Sequence, residues 1–218
     1  MKKLSLLLVD DHTIVRQGLL ELLKLDPSID VIGEAQDGHQ AVILAEQLQP
    51  DVILMDIAMP ILNGLEATRQ ILKTNPDAKI LILTAHVDDE YVQRAIEVGA
   101  AGYLLKHTSA TTLYRSIHEL KDDQILRRPT GGNPKRRPSQ PITARFARLT
   151  PREAEVLQLI AEGHANKQTA QILDISIKTV EKHREHVMSK LDIHDTAGLT
   201  RYAIGAGIIE SGNQPTIT

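Results

Sequence analysis

The chain has no cysteine and no tryptophan, and it has a single phenylalanine in 218 residues. Without cysteine there is no disulfide framework and no thiol chemistry. So few aromatic rings make it a poor match for proteins that hold nucleic acid by stacking on exposed bases. The N-terminus has two lysines and then a short apolar run that reaches Asp10. That run is too short and too soon charged for a signal peptide or a membrane span, so a cytoplasmic protein with no membrane partner is expected. A strong overall charge is also missing, the net value being −3. The near-balance hides an asymmetry. Residues 1–122 hold 11 Lys and Arg against 18 Asp and Glu, a balance of −7. Residues 123–148 hold 7 basic residues and 1 acid, +6, and residues 149–218 hold 7 and 9, −2. A basic connector behind an acidic front suits a polyanion partner for the back half. A solubilising linker accounts for the same charges equally well.

What is present is a regular alternation. Apolar runs at 4–9, 31–35, 52–56, 79–83 and 101–105 read as strands, and those at 4–9 and 52–56 are the continuous kind that parallel sheets bury. Between and after them, residues 14–25, 38–48, 64–72, 90–98 and 111–120 carry helical spacing; in the first, the apolar positions are 14, 15, 19, 22 and 23. Gln49-Pro50 ends the second helix, Asn63 is placed to cap the third and Gly99 to stop the fourth. Five βα units imply a parallel sheet covered on both faces, a flavodoxin-like α/β domain over residues 1–122. Residues 123–148 then hold Pro129, Gly131, Gly132, Pro134, Pro138 and Pro141 and read as a linker.

From Leu149 the spacing is helical only. Thr150 and Pro151 form a helix start, with Glu153 in the first turn. Val156, Leu157, Leu159 and Ile160 face inward, and Gly163 ends this helix. Asn166 is the expected cap of a second helix to 173, Ser176 of a third over 177–191, and Asp195 or Thr196 of a fourth to about 204. Two short helices joined tightly at Asp174-Ile175 fit a helix-turn-helix. An all-α four-helix domain over 149–211, with a flexible tail at 212–218, completes the expected organisation.

Two of the strands end in acids, one in Asp10-Asp11 and the other in Asp56. In a sheet ordered 2-1-3-4-5 the first and third strands are neighbours, so the three carboxylates meet at the carboxyl edge, where open α/β sheets bind ligands. Their repulsion calls for a proton or a hard cation, and oxygen ligands with open positions suit Mg²⁺. Thr84 ends the fourth strand and Lys106 follows the fifth. A hydroxyl and an ammonium at that edge can hold the oxygens of a phosphoryl group on Asp56.

These residues carry a resemblance. Asp10-Asp11, Asp56 within Met55-Asp56-Ile57-Ala58-Met59-Pro60, Asn63-Gly64, Thr84-Ala85 and Lys106 are similar to the receiver domain of a two-component response regulator. Leu149-Thr150-Pro151-Arg152-Glu153, Ala161-Glu162-Gly163, Asn166-Lys167, Ala170 and the stretch from Ile175 through Thr179-Val180-Glu181-Lys182-His183 to Lys190-Leu191 resemble a LuxR-type helix-turn-helix. Together they point to the NarL/FixJ class. The resemblance implies that Asp56 accepts phosphate from a histidine kinase. It implies that Asp10, Asp11, Asp56 and the backbone carbonyl of Ala58 hold the metal, and that Tyr103 is the switch aromatic. His86 and Ala58 match positions that tune hydrolysis in the family.

The 177–191 helix has four basic and two acidic residues and can enter a major groove of double-stranded DNA. The resemblance makes Glu181, Lys182 and Glu185 base-edge candidates and Lys167, Lys178, Thr179, His183, Arg184 and Lys190 phosphate contacts. It also implies a homodimer on DNA through the fourth helix. Thr169 stands where the family has an apolar residue, so its helix either packs less well or bonds the hydroxyl to a backbone carbonyl. The expectation is a regulator, not an enzyme. A phospho-aspartate phosphatase would need a second acid two residues after the nucleophile, where this chain has Ala58. A regulator that binds DNA without phosphorylation is the alternative.

Overall fold

The computed structural model describes residues 3–85, 89–121 and 149–209. His86, the 123–148 linker and the 212–218 tail lie outside the described residues. The chain forms two compact units.

The first unit runs β1 (Leu4–Val9), α1 (Thr13–Lys24), β2 (Ile29–Ala35), α2 (Gly38–Leu48), β3 (Val52–Met55), α3 (Gly64–Thr74), β4 (Ile80–Thr84), α4 (Asp89–Glu97), β5 (Gly102–Leu105) and α5 (Ala110–Lys121). All strand pairs are parallel, in the order β2-β1-β3-β4-β5. Strands β3 and β4 are buried along their whole length, because helices cover both faces and leave no polar side to the strand. Edge strand β2 instead exposes Asp30, Ile32 and Glu34 in alternation, and two charges on an edge discourage pairing with another chain. The helices begin where short polar side chains can take an unpaired amide. The Asp37 carboxylate accepts from the Gln40 amide and Asn63 from the Glu66 amide. Gly99, at φ 94°, follows α4 in a left-handed conformation that a residue with a Cβ adopts only under strain.

Most boundaries move by a residue or two from those read in the sequence; β2 begins two residues earlier, at Ile29. Ile14 is 86% exposed, and the inward face of α1 consists of Leu23 with Leu19, Leu20 and Leu22 beside it.

The second unit contains α6 (Pro151–Ala161), α7 (Asn166–Ile172), α8 (Ile177–Leu191) and α9 (Thr196–Gly205). Helix α6 opens with a reciprocal cap: Thr150 Oγ1 accepts from the Glu153 amide, and the Glu153 carboxylate accepts from the Thr150 amide. The residue capping α7 is Ala165, not Asn166, which is the first helical residue; the Gln168 side chain accepts from the Ala165 amide. Ser176 caps α8 and Asp195 caps α9. Between α7 and α8, Asp174 takes φ 50°, and the Ile175 amide donates to the Ala170 carbonyl at 3.0 Å, closing the helix-turn-helix. Val156, Leu157, Leu159, Val180, Val187, Leu191, Leu199 and Ala203 are fully buried as one core. Each of the larger ones contributes roughly 1.5–3 kcal/mol by leaving water. Thr169 is fully buried too, and its Oγ1 has no hydrogen-bond partner. Of the two expectations for this residue, the bond to a backbone carbonyl does not form.

Candidate functional site

Sheet register brings the sequence's acids together. Val9 pairs with Met55, Met55 with Ile82, and Thr84 with Leu105. Asp10, Asp56, Thr84 and Lys106 are therefore delivered to one edge by four adjacent strands. The Asp56 amide donates to the Val9 carbonyl at 2.9 Å, and the Lys106 amide to the Thr84 carbonyl at 2.7 Å. Gly64 lets α3 approach this edge: a Cβ there would stand 1.8 Å from the carbonyl oxygen of Asp56. Its own amide donates to the Ile57 carbonyl at 2.8 Å.

Asp10 and Asp56 are buried, and Asp11 is partly open to solvent. The Lys106 ammonium lies 2.8 Å from Asp56 Oδ2 and 2.7 Å from Asp10 Oδ2. Asp56 Oδ1 accepts from the Ile57 amide at 2.8 Å. Burial pushes the Asp56 carboxyl up to about 6; Lys106 opposes the shift and the Asp10 charge adds to it. Burial alone would depress the Lys106 ammonium, but the Asp56 charge and the contact with Asp10 outweigh it and hold it above its ordinary value. Burial therefore sets the direction at Asp56, with Asp10 adding to it, whereas at Lys106 the two neighbouring carboxylates prevail over burial. At neutral pH the Asp56 carboxyl is largely ionised.

Two carboxylate oxygens in the cluster, Asp10 Oδ2 and Asp11 Oδ1, are buried without a hydrogen bond, although each has a cationic or ring nitrogen nearby. Donor atoms of Asp10, Asp11, His12 and Asp56 all lie within 4.8 Å of one another. Hard oxygen donors that converge in this way fit a divalent cation. Ala58 is half-buried beside them. Thr84 is fully buried at the end of β4. Tyr103, on β5 opposite Ile82, is also covered, at 9% exposure.

Sequence reasoning missed two neighbours. His12 Nδ1 is 2.7 Å from Asp11 Oδ1. Arg16, one turn into α1, donates from Nη1 to the Asp10 carbonyl at 2.7 Å and from Nε to Glu34 at 3.2 Å, fixing the acid pair from behind. The only sequence signal for either was proximity to Asp10-Asp11.

In the second unit, Lys178, Glu181, Lys182 and Glu185 are exposed on α8, as is Lys167 on α7. None of the three lysines forms an ion pair with another described residue. Thr179 is half-buried, its Oγ1 2.8 Å from Ser176 Oγ. Two other expected phosphate contacts are engaged within the unit. Arg184 bonds Asn166 at 3.3 Å and Thr196 at 2.5 Å, and Lys190 bonds Glu153 at 2.5 Å. Glu153 is buried, which alone would raise its carboxyl, but the bonds from Lys190 and Thr150 hold it below its ordinary value. His183 is held below its ordinary value by burial, with Arg152, His186 and Lys182 acting against the pull of Glu153.

A parallel sheet with three acids and a lysine at its carboxyl edge, joined in one chain to a helix-turn-helix, defines a two-component response regulator. The chain belongs to that family, in its NarL/FixJ class: residues 6–118 match the response regulator receiver domain, and residues 147–203 match the luxR family of bacterial regulatory proteins. It is 43% identical over 203 residues to the transcriptional regulatory protein LiaR of Bacillus subtilis, covering 92% of this chain and 96% of LiaR. Among solved structures it is similar to the response regulator ChrA of a heme-sensing two-component system, at TM-score 0.53 and 31% identity over 96% of this chain and all of ChrA. It is also similar to the response regulator RcsB in complex with DNA, at TM-score 0.55 and 25% identity over 92% of this chain and 98% of RcsB. Among the described residues no helix is long and apolar enough to cross a membrane.

Proposed function

We propose that this protein is a transcription factor switched by phosphorylation of Asp56. The observation that carries the reading is the Lys106 ammonium held between the Asp10 and Asp56 carboxylates, 2.7 and 2.8 Å away. Asp56 attacks the phosphorus of a histidine kinase's phosphohistidine; the new O–P bond forms as the N–P bond breaks, and the imidazole leaves with the electron pair. Asp10, Asp11, Asp56 and the carbonyl of Ala58 would hold Mg²⁺, which would offset the carboxylate repulsion and the charge of the arriving phosphoryl group. Lys106 transfers its contact from the Asp56 carboxylate to a phosphoryl oxygen, and Thr84 donates its hydroxyl to another. Tyr103 follows Thr84 and alters the surface formed by α4 and β5.

That change frees the helix-turn-helix unit to act as a dimer through α9, with half-sites about one helical turn apart. Helix α8 enters the major groove. Glu181, Lys182 and Glu185 face base edges; Lys167, Lys178, Thr179 and His183 approach phosphates. Arg184 and Lys190 brace the unit more than they bind DNA, because each already has a partner inside it. The protein acts in the cytoplasm as a regulator rather than as an enzyme.

Incubation with acetyl phosphate and Mg²⁺ tests the acceptor. Intact mass should show one added phosphoryl group on wild type and none on Asp56→Ala. Equal labelling of both would place the acceptor elsewhere.

A further inference from the structure

His12 is the one side chain in the acidic cluster that the phosphoryl reading leaves unused. Its backbone is fixed: the amide donates to Asp10 Oδ1 at 2.9 Å, and the carbonyl accepts from the Arg16 amide at 2.9 Å. It holds the N-cap position of α1, yet its side chain makes no capping hydrogen bond. The imidazole turns instead to the acids, with Nδ1 2.7 Å from Asp11 Oδ1 and 3.7 Å from Asp10 Oδ1. Asp11 Oδ1 is buried and accepts no hydrogen bond, so the short approach is not an N–H donated in line. A ring nitrogen and a carboxylate oxygen facing each other in this way stand like neighbouring ligands of one cation. Octahedral donors at about 2.1 Å from a metal are about 3 Å apart when adjacent and about 4.2 Å when opposite. The four donor atoms of Asp10, Asp11, His12 and Asp56 all fall within 4.8 Å of one another. The His12 side chain is 65% exposed, which leaves its ring free to adjust as a cation enters.

We propose that His12 gives an imidazole nitrogen to a nitrogen-accepting cation such as Ni²⁺ bound at Asp10, Asp11 and Asp56, but not to Mg²⁺, so that the ring raises the site's preference for nickel. The inference rests on the reading that these carboxylates hold a divalent cation. Its chemistry is that of ligand type: imidazole suits nickel and zinc, whereas Mg²⁺ takes oxygen and keeps its waters. Nothing in the fold depends on the ring, so its removal should leave the domain intact.

Isothermal calorimetry on the tag-free full chain, titrated separately with Ni²⁺ and Mg²⁺, tests it. His12→Ala should weaken the Mg²⁺-competable Ni²⁺ site about tenfold or more, the scale on which even outer-shell partners of a metal act. It should leave Mg²⁺ affinity unchanged, and far-UV circular dichroism should match wild type. Equal Ni²⁺ binding by wild type and His12→Ala would overturn the proposal. So would equal weakening of both cations, which would make His12 a support of the fold and not a ligand. Asp10→Asn separates the inference from its premise: it should abolish Mg²⁺ binding. Mg²⁺ bound equally by wild type and Asp10→Asn would overturn the underlying cation site as well.

Discussion

Asp56 keeps its charge against the effect of its surroundings. Burial raises its carboxyl from an ordinary 3.8 to about 6, even with Lys106 2.8 Å away. The unfolded chain therefore loses this proton first as pH rises. Between about pH 4 and 6 Asp56 binds its proton more in the folded than in the unfolded state, so the stability this group contributes falls across that window and levels off above it. The neutral amide of Asp56→Asn removes this cost while Lys106 keeps Asp10 as a partner. In chelator, without divalent cation, Asp56→Asn should be more stable than wild type at pH 8 by on the order of 1–3 kcal/mol. The gain should vanish below about pH 4, where both forms are neutral. Urea melts at the two pH values measure it; a mutant equal to wild type at pH 8 would mean that Asp56 is not held in a buried, charge-averse place.

Individual elements explain what could and could not be read from the chain. Strands β1, β3 and β4 were legible because buried parallel strands are continuous apolar runs, and the carboxyl ends of β1 and β3 located Asp10, Asp11 and Asp56 with them. The caps at Asn63, Thr150 and Ser176 were legible because a short polar side chain before a helix has a specific task. Asn166 misled because a cap depends on backbone angles, and the chain turns one residue earlier, at Ala165. The recruitment of Lys190 by Glu153, 37 residues away, could not be read at all, since it arises from the crossing of α6 and α8. That contact has a consequence for DNA binding. Lys190→Ala should destabilise the helix-turn-helix unit by about 1–3 kcal/mol, as expected for a bond to a buried carboxylate, and leave the salt dependence of DNA affinity unchanged. Lys178→Ala should do the reverse, with little effect on the melt and a salt slope flatter by about one. Interchanged results would return Lys190 to the phosphates.

At the scale of the whole molecule, an acidic receiver and a helix-turn-helix unit share one chain with a strongly basic stretch between them. The helix-turn-helix region is itself net −2 over residues 149–218, so its overall charge does not favour a polyanion. If the connector touches phosphates, Arg136 and Arg137 changed together to Ala should weaken binding to every sequence alike and flatten the salt slope. An unchanged slope would make the stretch a tether. The central claim is that chemistry at Asp56 governs DNA binding by α8. Fluorescence anisotropy tests it most directly, using a duplex selected from random DNA by the phosphorylated protein and comparing acetyl-phosphate-treated wild type, untreated wild type and treated Asp56→Asn at one salt concentration. The phosphorylated wild type should bind more tightly than both of the others, which should bind alike. Equal affinity in all three would contradict the account and leave a regulator that reads DNA without its phosphoryl switch.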